Sequence, residues 1–538
     1  MSGDEVYCLE EARAYARWTP QKIVILGQDI TFTHVPLYPL ASALLIRLFG
    51  ENLFLLRSIG IGALTAVLFL LSYFPFRFLP DSAWAKRVSW IAPIVVASHP
   101  ISVQGSAILD YESTFFLLFL CLFSFVWLTH SFSKASFWIL SSLYALALWG
   151  RTTTACLIPV SWMFWAVFTR PSKKEWRYLL GILAVGLLLF GISFGIFVFF
   201  AWGIQNFFEP FRYLYSRVAT ASHSSSFSPS GQLQDLSRLL FWFGIPWLLL
   251  FFAGLVKKVP ERLSPFADRI RFLKVLVWVG IPFYYFITKL SWGYPKYLLP
   301  FIPIATFLFV MLFSEEWPLL KGKEASFFLI LTGALVVLSF FLLGDPLYQL
   351  SYELKKKLLS GAHFSQLLPM FFRMFGLPSL FLFSALFVTR FLSRKKKERY
   401  PWALGGFIAL FAGQLPFVLT QSYASYPTTA FYGDTRRGEV VAILKHEVRP
   451  TESIFSPELI IPYEAGNQAA PYWASYWNDP KTFLEQLKEQ SPKAVVYSIS
   501  MLNLAAYRTV IQNREVQKQL RQKYVPRSIG DYTLWLKK

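Results

Sequence analysis

Charge is scarce in this chain, and what there is leans to one sign. Asp, Glu, Lys and Arg make up 15% of 538 residues, with 52 basic against 31 acidic side chains and a net charge of +21. An average soluble chain is about 25% charged, so too few polar side chains exist to coat a water-soluble surface, and a soluble single-domain enzyme is excluded. Cysteine is scarcer still. Cys8, Cys121 and Cys156 are the only three, the last two inside apolar segments, so no disulfide framework is expected. No HxxxH or CxxC spacing accompanies the six histidines, which leaves no basis for a protein-built metal cage. GxGxxG, GxxxxGKS and GxSxG occur in no usable context, so nucleotide hydrolysis and serine-nucleophile chemistry have no support. Residues 1–5 carry neither a basic n-region nor an apolar h-region and read as neither a signal peptide nor a membrane span.

Apolar length is what the chain has in abundance. It is 55% hydrophobic and 19% aromatic, and these residues fall in long runs, which excludes disorder. Windows such as 179–202 and 326–344 contain no charge and satisfy the roughly 20 residues that a transmembrane helix needs. Twelve spans are predicted, at 57–79, 88–103, 111–129, 136–150, 152–169, 178–203, 238–256, 274–290, 297–314, 325–344, 367–392 and 402–421. The run from 136 to 169 is divided at Gly150-Arg151 because it is too long for one crossing of a core about 30 Å thick.

Lys and Arg collect in alternate loops. Arg77, Lys86 and Arg87, then Lys134, then Arg170, Lys173, Lys174 and Arg177 open the pattern; the 257–274 loop, Lys321 with Lys323, and the 390–399 cluster continue it. The positive-inside bias assigns those loops to the cytoplasm. The excess of base is thus a topology signal and not a nucleic-acid surface. Residues 1–56 and the tail after 421 then face the extracytoplasmic side. The tail changes character: VAILKHEV, ESIF, an apolar ELIIPY run, a helical KTFLEQLKEQ, an AVVYSI strand and a closing YTLWL strand alternate as in a small α/β domain. The expected architecture is an all-α polytopic membrane domain over 57–421, preceded by a loop with interfacial helices over 1–56 and followed by a C-terminal α/β domain over 422–538.

Several polar residues lie on the extracytoplasmic rim of this topology. Asp4 and Glu5 open a segment, DEVYCLEEARAYARW, whose apolar positions recur at helical spacing and can lie on the lipid boundary; Pro36 to Phe49 is a second such piece. Asp4 fits an N-cap and Glu5 the positive end of a helix dipole, yet a carboxylate at that boundary also suits a general base for an acceptor hydroxyl. Asp110, between two spans, fits either a helix cap or a functional acid. Arg151, Lys289 and Lys296 fit either snorkelling to headgroups or contact with a lipid phosphate. His34 and His223 share that side as single loop histidines.

Taken in order, these residues resemble the glycosyltransferase C superfamily in a manner similar to glycosyltransferase family 39, in particular bacterial protein O-mannosyltransferases and the aminoarabinose transferases that modify lipid A. The similarity rests on the Asp4-Glu5 pair with the helix running to Tyr15, on VPLYPL and LFG ahead of Arg57, on the Asp110 segment, on PKYLLPFIP, and on the α/β tail. It covers essentially the whole chain. In that family a transmembrane helix precedes the acidic pair, and here it is absent; adding it would give thirteen spans with a cytoplasmic amino terminus, so the expectation is about twelve spans with a thirteenth, amino-terminal one missing. It implies that Asp4 takes the proton of an acceptor hydroxyl as the oxygen inverts the anomeric carbon of a sugar on a polyprenyl phosphate, with Glu5 and Asp110 in the same acidic site. Arg151, Lys289 and Lys296 would stabilise the leaving phosphate, with His34 where relatives often carry an acidic-basic pair. Lys296 stands where relatives commonly have Arg. The implied partners are the lipid-linked donor, membrane lipids, and a lipid A, glycan or protein acceptor, with no nucleic acid. No cofactor is obligatory, and a divalent metal stays open. The implied location is a bacterial inner membrane with the site on the periplasmic face. Two rivals share the polytopic design, a lipid-linked-sugar flippase or transporter and an oligosaccharide ligase or polymerase. Transporters usually bury polar groups near mid-membrane, whereas here the carboxylates gather at the outer rim, which favours a transferase.

Overall fold

A computed structural model describes residues 3–19, 23–30, 35–79, 81–97, 99–106, 109, 112–129, 132–209, 212, 251–252, 254–288, 298–314, 353, 357, 362–372, 436–471, 477, 479–498, 505–530 and 532–538. Helix α1 (Gly3–Ala16) is followed by a small hairpin of β1 (Ile23–Ile25) and β2 (Gln28–Ile30), then by α2 (Leu37–Phe49). The helical body comprises α3 (Leu53–Tyr73), α4 (Pro75–Phe78), α5 (Ser82–Ala97), α6 (Pro100–Ser106), α7 (Leu117–Thr129), α8 (Lys134–Ala155), α9 (Leu157–Thr169), α10 (Lys173–Ala201), α11 (Ala267–Thr288), α12 (Phe301–Ser314) and α13 (Phe364–Phe371). Of the twelve runs expected as spans, 325–344 and 402–421 lie outside the described residues, as do most of 238–256 and 367–392; the other eight are helical.

Helix α10 shows why this body belongs in lipid. Ser172 starts it with a reciprocal cap, its hydroxyl accepting from Glu175 N while the Glu175 carboxylate accepts from Ser172 N. Its 29 residues span about 43 Å at 1.5 Å each, more than a hydrocarbon core. One side buries Leu179, Ile182, Gly186, Phe190, Phe194 and Val198. The other turns Leu187, Leu188, Ile192, Ile196, Phe199 and Phe200 outward. A helix that is apolar on both its packed and its open face is stable against hydrocarbon, not water. Among the described residues, this helix and Leu53–Phe78 have the length and hydropathy to cross a membrane.

The expected division near Gly150-Arg151 takes the form of a kink. Arg151 has extended torsions (φ −159°, ψ 98°) inside α8, and a second break at Cys156 separates α8 from α9. Pro93 and Pro282 lie within α5 and α11, where each removes one backbone donor from the ladder.

The C-terminal unit has α14 (Arg437–Glu447), β3 (Ile454–Phe455), α15 (Ile460–Glu464), α16 (Pro480–Glu489), β4 (Ala494–Ser498), α17 (Ala505–Gln512), α18 (Arg514–Lys523), β5 (Tyr524–Ile529) and β6 (Tyr532–Lys537). Its four strands run in the order β3-β4-β6-β5, with β3 parallel to β4 and the remaining neighbours antiparallel. All of the VAILKHEV stretch but its last residue, Val448, is helical, within α14. Every residue of β4 is buried, so the sheet is covered on both faces. Val495, Tyr497 and Trp535 pack with α16, α17 and α18, whereas Ala494, Val496 and Leu534 face α14 and α15 and join the core that continues into the membrane helices.

One carboxylate lies inside this unit. Glu458, just after β3, is buried and accepts hydrogen bonds from the Ser498 hydroxyl and, at 3.1 Å, from the Tyr532 hydroxyl. Burial pushes it up to about 7, although those two hydroxyls and Arg437 pull the other way. Between the ordinary 4.5 and about 7 the unfolded chain holds fewer protons than the folded one, so stability falls as pH rises through that window. The loss is on the order of 3 kcal/mol. Hydrogen exchange of the β4 amides at pH 5 and pH 8 is expected to show weaker protection at the higher pH, and Glu458→Gln is expected to remove most of the difference.

Candidate functional site

The site begins with α1. Its Glu, Leu, Ala and Arg residues favour helix, but the helix does not rest one face on a lipid boundary as its spacing predicts. Glu5, Val6, Tyr7, Cys8, Leu9, Glu11, Ala12, Ala14 and Tyr15 are all buried, so α1 is enclosed on nearly every side. Two of the enclosed residues are acids, and each has partners. Asp4 occupies the first turn of the same helix.

Glu5 has no exposed surface, and its Oε1 is where three donors converge. Arg57, near the start of α3, donates from Nη2 at 2.9 Å and from Nε at 3.2 Å; the backbone amide of Leu109 donates at 3.2 Å. Asn52 caps α3 through the amides of Phe54 and Leu55, which sets the turn that carries Arg57. Cys8, Leu9, Tyr38, Leu56 and Leu109 form an apolar cluster around this pair. The surroundings strengthen the attraction and also make an unpaired charge there costly.

Leu109 opens the segment that precedes α7, and close backbone packing holds that segment on two further sides. A Cβ on Gly60 of α3 would lie 2.3 Å from the Ser106 carbonyl oxygen, and one on Gly150 of α8 would lie 2.9 Å from Phe116 N. Only glycine permits both approaches. Between them Glu112–Phe116 forms a π-helical turn with Thr114 off helical torsions (φ −118°, ψ −108°). Arg151 directly follows Gly150, so its kink is packed beside this turn.

An aromatic wall joins the far end of α1 to the same region. Trp202, at the end of α10, donates from Nε1 to the Tyr15 hydroxyl at 2.7 Å, and that hydroxyl donates to Glu11 at 3.2 Å. Burial holds the Tyr15 phenol well above its ordinary range, and the Glu11 charge adds to this. The Tyr15 ring meets Phe197 edge-on at 6.0 Å, and Phe197 meets Trp149 at 5.7 Å, two residues before Arg151.

The structure therefore links Glu5 to Arg57 and Leu109, and Arg151 to the turn at 112–116. The side chain of Asp4, and Asp110, Lys289, Lys296 and His34, lie outside the described residues. Arg57 and Tyr15 enter the sequence reading only as markers of the resemblance, without a site role, and Glu11 and Trp202 have none there. Arg57 did carry a signal, since a lone charge within the apolar 53–73 run asks for a partner. Glu11 and Tyr15 carried only a helical i, i+4 spacing.

No protein-family model and no curated protein sequence matches this chain. The crystal structure of apo ArnT from Cupriavidus metallidurans superposes over 99% of this chain and 92% of its own, with a TM-score of 0.54 at 12% sequence identity. ArnT from the same organism bound to undecaprenyl phosphate superposes over 98% and 92%, also with a TM-score of 0.54 and 12% identity. The chain has the fold of ArnT. ArnT is an aminoarabinose transferase of GT-C fold, the class that the acidic pair, the Asp110 segment and the α/β tail resemble. At so low an identity the ArnT fold is held by the pattern of spans and packing, with little retention of side-chain identity.

Removing one partner of the buried pair tests its role in this ArnT-like arrangement. Arg57→Met leaves Glu5 buried without its cation, and is expected to destabilise the detergent-solubilised chain by about 3–5 kcal/mol. Adding Glu5→Gln is expected to recover part of that loss in the same thermal unfolding measurement.

Proposed function

We propose that the protein is an integral-membrane glycosyltransferase that moves a sugar from a polyprenyl-phosphate donor to an acceptor hydroxyl, with inversion at the anomeric carbon. The observation that carries this reading is the Glu5–Arg57–Leu109 junction within an ArnT fold. That junction ties the helix of Asp4 to the segment of Asp110, the two acids that the resemblance assigns to one site. ArnT bound to undecaprenyl phosphate supports a lipid phosphate as the carrier.

In this mechanism Asp4 accepts the proton of the acceptor hydroxyl as its oxygen attacks the anomeric carbon. The bond from that carbon to the phosphate oxygen breaks, and polyprenyl phosphate leaves with the electron pair. Asp110 orients the acceptor. Arg151, Lys289, Lys296 and His34 stabilise the charge that develops on the phosphate. Glu5 acts on Asp4 by holding α1 in place, since its Oε1 is already engaged by Arg57 and Leu109. The Phe-rich spans supply apolar walls for the polyprenyl chain. The protein would work as a multi-pass protein of a bacterial inner membrane, with the site and the C-terminal domain in the periplasm; lipid A, another glycan or a protein is the acceptor class.

The test is transfer of radiolabelled sugar from a polyprenyl-phosphate donor by the protein in detergent. Asp4→Asn and Asp110→Asn are each expected to lower turnover, the former by about 10²–10⁴-fold as loss of a general base does. Full turnover in both variants sinks the catalytic assignment. Translocation of the donor across vesicles without sugar transfer would replace the transferase by a flippase.

A further inference from the structure

Helix α1 is held from two sides, and only one of them belongs to the membrane helices. Glu5 grips Arg57 and Leu109 on the first. On the second, Glu10 and Arg13, about one turn apart, meet Glu51 in the α2–α3 loop and Tyr463 in α15 of the C-terminal domain. The Tyr463 hydroxyl donates to Glu10 Oε1 at 2.5 Å and accepts from Arg13 Nη1 at 2.7 Å. Arg13 forks onto Glu51, donating from Nε to Oε2 at 2.7 Å and from Nη2 to Oε1, and Nη1 also donates to Glu10. The Glu51 hydrogen bond raises the Arg13 guanidinium above its ordinary range, and Arg13 holds the Glu51 carboxyl below its own. Burial, followed by the Glu10 contact, raises the Tyr463 phenol. The network thus stays charged at both ions and neutral at the phenol near neutral pH.

Tyr463 is itself firmly seated. Its short helix buries Ile460 and Ile461 against the inner face of the sheet, in the same core as the membrane helices. The turn of the β1–β2 hairpin, at Gly27, packs against the Gln468 carbonyl a few residues further on. At the other end of α1, Arg47 donates from Nε to the Ala16 carbonyl at 2.7 Å and stacks over Trp18 at 4.5 Å, as suits the negative end of a helix dipole. Glu10 is six residues from Asp4, about 9 Å along a rigid helix. A displacement at Glu10 is therefore carried to the acidic pair almost undiminished, and a misplacement near 1 Å can cost about 10²-fold in rate.

We propose that Tyr463 is a positioning residue of the transferase: by holding Glu10 and Arg13 it sets the axial position of α1, and with it the Asp4–Glu5 pair, which makes the C-terminal domain a working part of the active site. This rests on the transferase reading above. It assigns the domain a role that acceptor recognition alone would not require.

The full chain in lipid nanodiscs provides the test, with Tyr463→Phe, Glu10→Gln and the double variant. Hydrogen exchange of the α1 amides is expected to speed up in each, while β4 and β6 keep their protection. In sugar transfer from the polyprenyl-phosphate donor, kcat is expected to fall on the order of tenfold in Tyr463→Phe with the donor KM within about twofold of wild type. The double variant is expected to fall short of the product of the two single effects, because both substitutions break the Tyr463–Glu10 contact while each also loses its own contact with Arg13. Wild-type α1 protection together with wild-type kcat in Tyr463→Phe overturns the proposal. Loss of protection throughout β4 and β6 also overturns it, since Tyr463 would then serve the folding of its own domain. If the wild-type chain transfers no sugar, the transferase reading fails by itself, and the α1 exchange still decides whether Tyr463 holds the helix.

Discussion

An ionised carboxylate sealed inside protein is costly unless it is paired or hydrogen-bonded, and the pairing of Glu5 with Arg57 is the constraint on which the amino-terminal half of this structure depends. Because one oxygen takes both the guanidinium and the Leu109 amide, α1, α3 and the segment leading to α7 cannot move independently. The surrounding Cys8, Leu9, Tyr38, Leu56 and Leu109 exclude water and raise the cost of any arrangement that parts the ions. Close backbone contacts at Gly60 and Gly150 then bring the segment against two membrane helices at once. The kink at Arg151 and the turn at 112–116 sit beside the Gly150 contact, so irregular backbone is closely packed there.

The C-terminal domain joins this arrangement by apolar continuity as well as by polar contact. Alternation along β4 sends Val495 and Tyr497 to one core and Ala494 and Val496 to another, and the second runs without a gap into the helices of the membrane body. A domain attached only by a linker would keep its own closed core. Here the sheet backs α15, α15 presents Tyr463, and Tyr463 meets α1. The C-terminal domain and the helical body are in this sense one piece, with α1 as the element shared between them.

How much was legible in advance varied with the kind of physics involved. Long charge-free runs announce helices because the bilayer demands both apolarity and length, and α3 and α10 follow from that alone. The break within 136–169 was readable because no single crossing is that long. AVVYS and YTLWL are strands as their β-branched and aromatic content implies. VAILKHEV has comparable apolar content but, as far as Glu447, forms part of α14, whose Val440 and Leu444, one turn apart, are both buried against the sheet. The depth of α1 was the chief miss: acids at helical spacing look like an exposed face until partners far along the chain are known.

Composition and patterning determined the medium, the helical class of the body and the α/β character of the tail. These depend on hydrophobic length and periodicity, which are properties of neighbouring residues. Tertiary structure alone decided that Glu5 meets Arg57, that Tyr15 receives Trp202, and that Tyr463 reaches Glu10 across some 450 positions. Such pairings are selected by how buried charges and hydroxyls find partners in a packed interior, and no local stretch of sequence contains that information.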